Sequence, residues 1–203
     1  MSLNWLAPFY DQLCSRFGLG IPFRKETLRY ARLEPGENVL DVGCGTGVLT
    51  HMAAETVGPT GKVIGIDPAP KMISLARKNA SVTGNSAEFR LAVIEHLPFE
   101  NETFDLVLSS AMIHHLPSDL KRAGLLEVNR VLKPGGRLLV VDLDRPANPL
   151  WWFLVWPLRI MPTTREHLEG RLLPYFRQAG FDPVNRVGRW FGLLSFWLAY
   201  KPK

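Results

Sequence analysis

The chain holds little that would cross-link it, bind a metal or carry it across a bilayer. Two cysteines, Cys14 and Cys44, in 203 residues are too few for a disulfide framework or a zinc ribbon and point to a reducing compartment. The longest apolar run, Leu150–Leu158, has nine residues, under half of the roughly 20 that a membrane-spanning helix needs. The N-terminus lacks a basic n-region, and Asp11 and Arg16 interrupt its apolar stretch, so it does not read as a secretory signal. Repeats and low-complexity tracts are also missing. A cytoplasmic protein without a transmembrane anchor is the expectation.

What is present is the composition of a globular domain, 46% apolar and 21% charged. The net charge of +5 conceals an asymmetry. Residues 1–120 carry 10 Lys/Arg and 13 Asp/Glu, a net of −3, whereas residues 121–203 carry 14 and 6, a net of +8. Five of the six Trp lie beyond residue 150, so the basic end is also the aromatic one.

Short β-branched runs alternate with helix-like stretches. Asn38–Val42, Lys62–Ile66, Glu88–Val93, Asp105–Ser109 and Gly136–Asp142 read as strands, most of them continuously apolar as in a parallel sheet covered on both faces. Val48–Val57, Pro70–Ser81 and Asp119–Leu132 read as the helices between them, the last stopped by Lys133-Pro134-Gly135-Gly136. Glu166–Gln178 reads as a further helix, and Val184–Trp190 with Leu194–Tyr200 as an antiparallel hairpin. The expected architecture is α/β: a Rossmann-like, doubly wound, seven-stranded sheet, mostly parallel, with an antiparallel C-terminal hairpin. One domain is expected, with a helical cap over 1–37, a core over 38–142, a lid and helix over 143–180 and the hairpin over 181–203.

The strongest local signal is Val39-Leu40-Asp41-Val42-Gly43-Cys44-Gly45-Thr46-Gly47, a buried strand entering a glycine-rich turn that opens a helix. Such a turn lets a ligand approach the backbone, and the helix start presents amides to an anionic group. The spacing is G-x-G-x-G and not the G-x-G-x-x-G of dinucleotide enzymes. A second strand, Val63-Ile64-Gly65-Ile66-Asp67, ends on an acid placed to accept both hydroxyls of a ribose. Pro68 and Met72 follow, and Met72 is placed either to pack on a purine face or to fill the core.

These strings, with Leu97-Pro98-Phe99, Phe104-Asp105-Leu106-Val107 and Leu132-Lys133-Pro134-Gly135-Gly136, resemble the class I S-adenosylmethionine-dependent methyltransferases. The chain is most similar to the branch of the ubiquinone/menaquinone C-methyltransferases and bacterial phospholipid N-methyltransferases, whose pattern the Tyr10-Asp11 pair also fits. The resemblance covers about residues 8–145 and implies S-adenosyl-L-methionine as cofactor and S-adenosyl-L-homocysteine as product. It implies that Asp41, Gly43, Gly45 and Gly47, in the turn that also holds Cys44 and Thr46, take the methionine part. It further implies that Asp67 binds the ribose beside Pro68, that Met72 lies on the adenine, that Ser109 reaches the methionine amine or sulfonium, and that Tyr10 closes over the cofactor. One position departs from the family. Val93, in Leu91-Ala92-Val93-Ile94-Glu95, stands where an Asp normally meets the adenine amine, which leaves Ile94, Glu95 or backbone carbonyls for that edge.

The motifs specify the cofactor and are silent on the acceptor. If the acceptor must lose a proton, the base candidates are His114 and His115. An extended backbone there points them opposite ways, with His114 assigned to the pocket. Cys44 is assigned to packing, and two cysteines do not suit an arsenic methyltransferase that binds its substrate through three. Trp151, Trp152, Phe153 and Trp156 cover every face of any helix they form, where a one-sided stripe would suffice for ordinary packing. They read as a lid over a small hydrophobic or lipid-like acceptor, as a peripheral contact of residues 145–177 with an anionic membrane, or as packing on the sheet. A nucleic-acid or polar-metabolite acceptor is the competing enzyme reading, and a non-catalytic cofactor-binding protein the reading from another class.

Overall fold

The structure is a computed structural model that describes residues 14–203, so Tyr10 and Asp11 lie outside the described residues. Strands β1 (Asn38–Val42), β2 (Lys62–Asp67), β3 (Glu88–Leu91), β4 (Phe104–Ser110), β5 (Leu132–Leu143), β6 (Val184–Trp190) and β7 (Leu194–Tyr200) form one sheet in the order β3-β2-β1-β4-β5-β7-β6. The first five run parallel, while β7 pairs antiparallel with both β5 and β6. Strand order reverses beside β1, because β2 leaves on one side and β4 arrives on the other. Val42 is level with Ile66 and with Ser109, so the carboxyl ends of three strands open into one crevice, where ligands of doubly wound sheets bind.

Alternation along the strands divides the core between two faces. Val39, Val63, Leu106 and Val141 pack under helices α1 (Ile21–Ala31) and α2 (Val48–Val57). Leu40, Ile64, Val107 and Val140 pack under α4 (Ser118–Val131) and α7 (Leu172–Gln178). Helix α3 (Pro70–Thr83) sets Ile73, Ala76 and Ala80 against Phe89 and Cys44.

The structure corrects three boundaries. Strand β3 stops at Leu91, and Ala92–Glu95 leaves the sheet as a turn closed by a Val93–His96 bridge. The stretch read as one helix over Glu166–Gln178 is two, α6 (Pro162–Leu168) and α7, separated at Gly170, whose φ of +74° ends the first. Lys133–Gly136 does not precede β5 but forms an irregularity within it, where the pairing with β4 jumps from Phe104↔Leu132 to Leu106↔Arg137. The aromatic run becomes α5 (Pro149–Val155), capped by the Asn148 side chain on the Trp151 amide, then a 3-10 turn over Trp156–Ile160 around Pro157.

A buried lysine ties this C-terminal segment to the sheet's outer helix. Lys121 of α4 is wholly buried and donates to the Thr163 carbonyl at 2.8 Å and Glu166 Oε2 at 3.0 Å. Glu166 also accepts from Ser118 Oγ at 2.7 Å and Tyr175 Oη at 2.9 Å. Replacing Lys121 removes its charge-assisted bonds, while Glu166, 24% exposed, keeps water, Ser118 and Tyr175 as partners. Lys121→Met is therefore expected to destabilise the fold by about 2 kcal/mol, read as a lowered midpoint in urea with an unchanged slope.

Candidate active site

The site is built around the turn that follows β1. Gly43, Gly45 and Gly47 have φ of +77°, +55° and +84°, values that residues with a Cβ rarely adopt. The turn folds back on β2: the amides of Gly43 and Cys44 both donate to the Ile66 carbonyl, at 2.8 and 2.9 Å. The Gly45 amide donates to Asp67 Oδ2 at 3.1 Å, and that of Gly47 to the Cys44 carbonyl at 3.0 Å. These four turn amides are thus engaged within the protein; the amides expected to face an anionic group are those at the start of α2, from Val48 on. Gly47 lines neither of the two compartments that meet here. A Cβ there would sit 2.7 Å from Phe89 Cζ and 3.1 Å from Ala76 Cβ, so the position is fixed by helix–strand packing.

Two compartments meet over the turn. The larger, about 430 Å³, has Asp67, Pro68, Met72, Val93, Ile94 and Glu95 on one side and Met112, His115, Leu116 and Leu120 on the other. The smaller, about 60 Å³, is lined by Asp41, Cys44, Thr46, Leu19, Phe23 and Arg24. Gly43, Gly45, Ser110 and Ala111 line both. Ala111, with φ +52°, holds a left-handed conformation where they join, and its amide donates to the Val141 carbonyl at 2.8 Å. Backbone strain of this kind gathers at functional sites.

Asp41 and Asp67 are both held at an electrostatic disadvantage. Asp41 is buried and accepts from Thr50 Oγ1 at 2.6 Å; burial, with Asp67 nearby, pushes its pKa up to about 6. Burial also raises Asp67, although the Ala69 amide at 2.8 Å and the Gly45 amide partly offset it. Burial and the two carboxylates push the Cys44 thiol far up, which leaves it a packing group without nucleophilic character.

Two assignments move by one residue. Ser109 is buried and lines neither compartment, whereas Ser110 lines both. His115, not His114, faces the large compartment. The segment is a 3-10 turn over Ile113–His115 instead of extended backbone, so neighbouring side chains do not point opposite ways, and the two rings lie 3.9 Å apart. His114 turns to the end of β5, where its Nδ1 meets Asp142 Oδ1 at 2.5 Å and its amide donates to Asp142 Oδ2 at 3.1 Å. Burial alone would raise the Asp142 pKa, but the charge and hydrogen bond of His114, with His167 and the Leu143 amide, outweigh it and hold Asp142 at about 2. His167 of α6 gives its Nδ1 hydrogen to the Leu143 carbonyl at 3.1 Å, which fixes its tautomer. Desolvation and the facing His114 push the His115 pKa below its ordinary value.

Among the described residues, none from 143–180 lines either compartment. The aromatic segment is therefore not a wall of these cavities: Trp151 and Trp152 are half-buried, while Phe153 and Trp156 face solvent. Arg24, Leu19 and Phe23 of the N-terminal segment were not anticipated as site residues. They reach it through the tertiary placement of α1 and carry no local motif.

The family model described as "Methyltransferase domain" matches residues 39–136. Over 222 aligned positions the chain is 31% identical to a demethylmenaquinone methyltransferase from Listeria monocytogenes serotype 4a, covering 98% of this chain and 93% of that protein. The chain belongs to the class I S-adenosylmethionine-dependent methyltransferases, in the menaquinone branch. Its cofactor is S-adenosylmethionine, and it is a transferase. An arsenite methyltransferase from Halobacterium salinarum is 42% identical over 119 residues, 58% of this chain and 30% of that protein. A solved S-adenosylmethionine-dependent methyltransferase from Aquifex aeolicus shares the fold, with a TM-score of 0.66 and 23% identity over 87% of this chain and 88% of that one.

The compartments of this methyltransferase fit its cofactor in their donor sets: the smaller holds a carboxylate and a guanidinium, the larger the carboxylates of Asp67 and Glu95 beside apolar walls. Asp142 anchors the floor beneath His114 and titrates well below the ordinary carboxylate value of 3.8. A group with a depressed folded pKa contributes stability above its unfolded pKa and loses it as pH falls through the folded one. Wild type is thus expected to lose about 2 kcal/mol more than Asp142→Asn between pH 4 and pH 2, measured as the difference of their urea midpoints at each pH.

Proposed function

We propose that the enzyme transfers the methyl group of S-adenosylmethionine to a hydrophobic, quinone-like acceptor. In this reading the methionine end of the cofactor occupies the small compartment, with its ammonium at Asp41 and its carboxylate toward Arg24. Asp67 accepts the ribose hydroxyls, and the adenine lies between Met72 and Ile94 with its edge toward Glu95 and the backbone of Val93. The observation that carries the reading is that the two compartments join at Ser110–Ala111, beside His115. A cofactor spanning both compartments would carry its methyl near that junction, where His115 lines the wall.

Bound cofactor supplies a methyl group on a positively charged sulfur. The residues of the chain hold the acceptor in line with that methyl and keep water away, effects worth up to roughly 7–11 kcal/mol. A carbon or oxygen of the acceptor would receive the methyl, the C–S electron pair would stay on sulfur, and the acceptor hydroxyl would lose a proton. His115 takes it in this scheme: its depressed pKa leaves the imidazole neutral at pH 7. His114, locked onto Asp142, positions His115 through the ring contact and does not itself touch the substrate.

Two features support a hydrophobic acceptor. The wall beyond His115 is apolar, with Met112, Leu116 and Leu120. The alignment to the Listeria demethylmenaquinone methyltransferase also runs through the C-terminal third, while the match to the arsenite enzyme covers little more than half of the chain. A cytoplasmic location agrees with two cysteines that form no disulfide.

Cofactor affinity is expected to fall as pH drops through about 6, because protonation removes the Asp41 charge that faces the ammonium. Asp41→Asn should weaken binding at pH 7.5 by about tenfold or more and flatten the pH dependence; both are read by titration calorimetry. The acceptor is tested with labelled cofactor against a prenylated demethylated naphthoquinol, arsenite and tRNA. Incorporation into the naphthoquinol is expected, reduced about a hundredfold by His115→Ala with cofactor affinity unchanged. Intact cofactor binding without transfer to any prenylated quinol would overturn the acceptor reading.

A further inference from the structure

We propose that the protein docks on an anionic lipid surface through an apolar patch that three separate segments build beside the mouth of the site. Phe17, Leu150, Phe153, Trp156, Ile160 and Phe191 are each 61–80% exposed. They come from the N-terminal segment, from α5 with the turn after it, and from the β6–β7 turn. Monomeric surfaces scatter single apolar residues but seldom gather this many large ones.

The segments are tied to one another. Trp190 Nε1 donates to the Gly18 carbonyl at 3.0 Å, and the Phe191 ring lies directly on Gly18. The Ala147 amide donates to the Gly192 carbonyl at 2.9 Å, and the Trp151 indole lies over Gly192. Leu143, the last residue of β5, pairs with Leu194, the first of β7. The patch therefore stands at the carboxyl edge of the sheet, the edge on which both compartments open.

Charge selects the occupant. The acids within residues 144–171 are turned inward: the side chains of Asp144, Glu169 and Glu166 are 3%, 19% and 24% exposed. Arg165 and Arg171, 59% and 65% exposed, share Glu169 as ion-pair partner at 2.7 and 2.8 Å, and Arg145 is exposed beside them, so three arginines face one carboxylate next to Ile160. The apolar patch thus has a basic rim. Two copies joined face to face would bring these rims together, a like-charge contact, whereas an anionic membrane complements both rim and patch. This inference does not depend on which acceptor is methylated.

The test is co-sedimentation with vesicles of phosphatidylcholine alone and with about one third phosphatidylglycerol. Wild type is expected on the anionic vesicles, with retention falling as salt is raised. Phe153→Ser/Trp156→Ser and, separately, Phe17→Ser/Phe191→Ser should each lower retention by at least about tenfold, and Arg145→Glu by about fivefold or more. Unchanged cofactor affinity in each variant shows that the fold is intact. Absent wild-type retention, equal retention of the apolar variants, or a concentration-dependent dimer that those variants dissolve would overturn the proposal. None of these outcomes bears on methyl transfer, so this surface and the acceptor reading stand or fall separately.

Discussion

The carbonyl of Ile66 accepts hydrogen bonds from the amides of both Gly43 and Cys44, and the geometry of the site follows from that shared acceptor. The contact folds the end of β1 over the end of β2. It leaves the backbone of Gly43 and Gly45 as the floor of both compartments. Asp67, the next residue along β2, is thereby brought within reach of the Gly45 amide. The crossing is tight: a Cβ on Gly65 would lie 2.9 Å from Cys44 Cβ and from the Phe89 ring, so β2 must be bare where the turn passes. The conformation of the turn and the placement of Asp67 beside it follow from one hydrogen-bonding arrangement.

A second polar arrangement organises the other half of the molecule. Asp142 holds His114, His167 holds the end of β5, and Lys121 holds Glu166 and the Thr163 carbonyl. Asp142, His114, His167 and Lys121 are shielded, and with Glu166 they fasten α6 to the sheet and to α4. Their effect on the surface is indirect. By drawing Glu166 inward, as Asp144 is drawn by Ser195 Oγ at 2.6 Å, the fold leaves arginines and large apolar side chains facing out. The asymmetry of net charge between residues 1–120 and 121–203 understates this, since it counts buried and exposed charges alike.

What was legible in the sequence was whatever depends on local spacing. The five parallel strands, the glycine turn and Asp67 at the end of β2 depend on hydrophobic period and turn chemistry within a few residues of each other. The errors share a different origin. Reading Ser110-Ala111-Met112-Ile113 as extended backbone placed His114 in the pocket, but Ala111 takes a positive φ and the chain tightens into a 3-10 turn, so His115 is the ring that faces it. The same change of direction carries Ser110, not Ser109, to the site. Arg24 had no local signal at all, because α1 reaches the small compartment through its packing on β5, β6 and β7. The aromatic run was legible as unusual, but which of its faces is covered depends on contacts with Gly192.

The shape of the site also bears on the charge of its ligand. Asp41 and Asp67 lie on either side of the glycine floor, and burial raises both, with Asp67 adding to the cost of ionising Asp41. The neighbouring hydrogen bonds from Thr50, Gly45 and Ala69 offset only part of that cost. A ligand that brings positive charge between the two carboxylates removes the remainder, and one that brings none leaves it in place. Cofactor and demethylated product both carry an ammonium and a carboxylate, and only the cofactor adds a sulfonium. In the binding mode proposed above, the field of buried Asp41 and half-buried Asp67 would favour the charged cofactor over its neutral-sulfur product, so the electrostatics that bind the first would also promote release of the second.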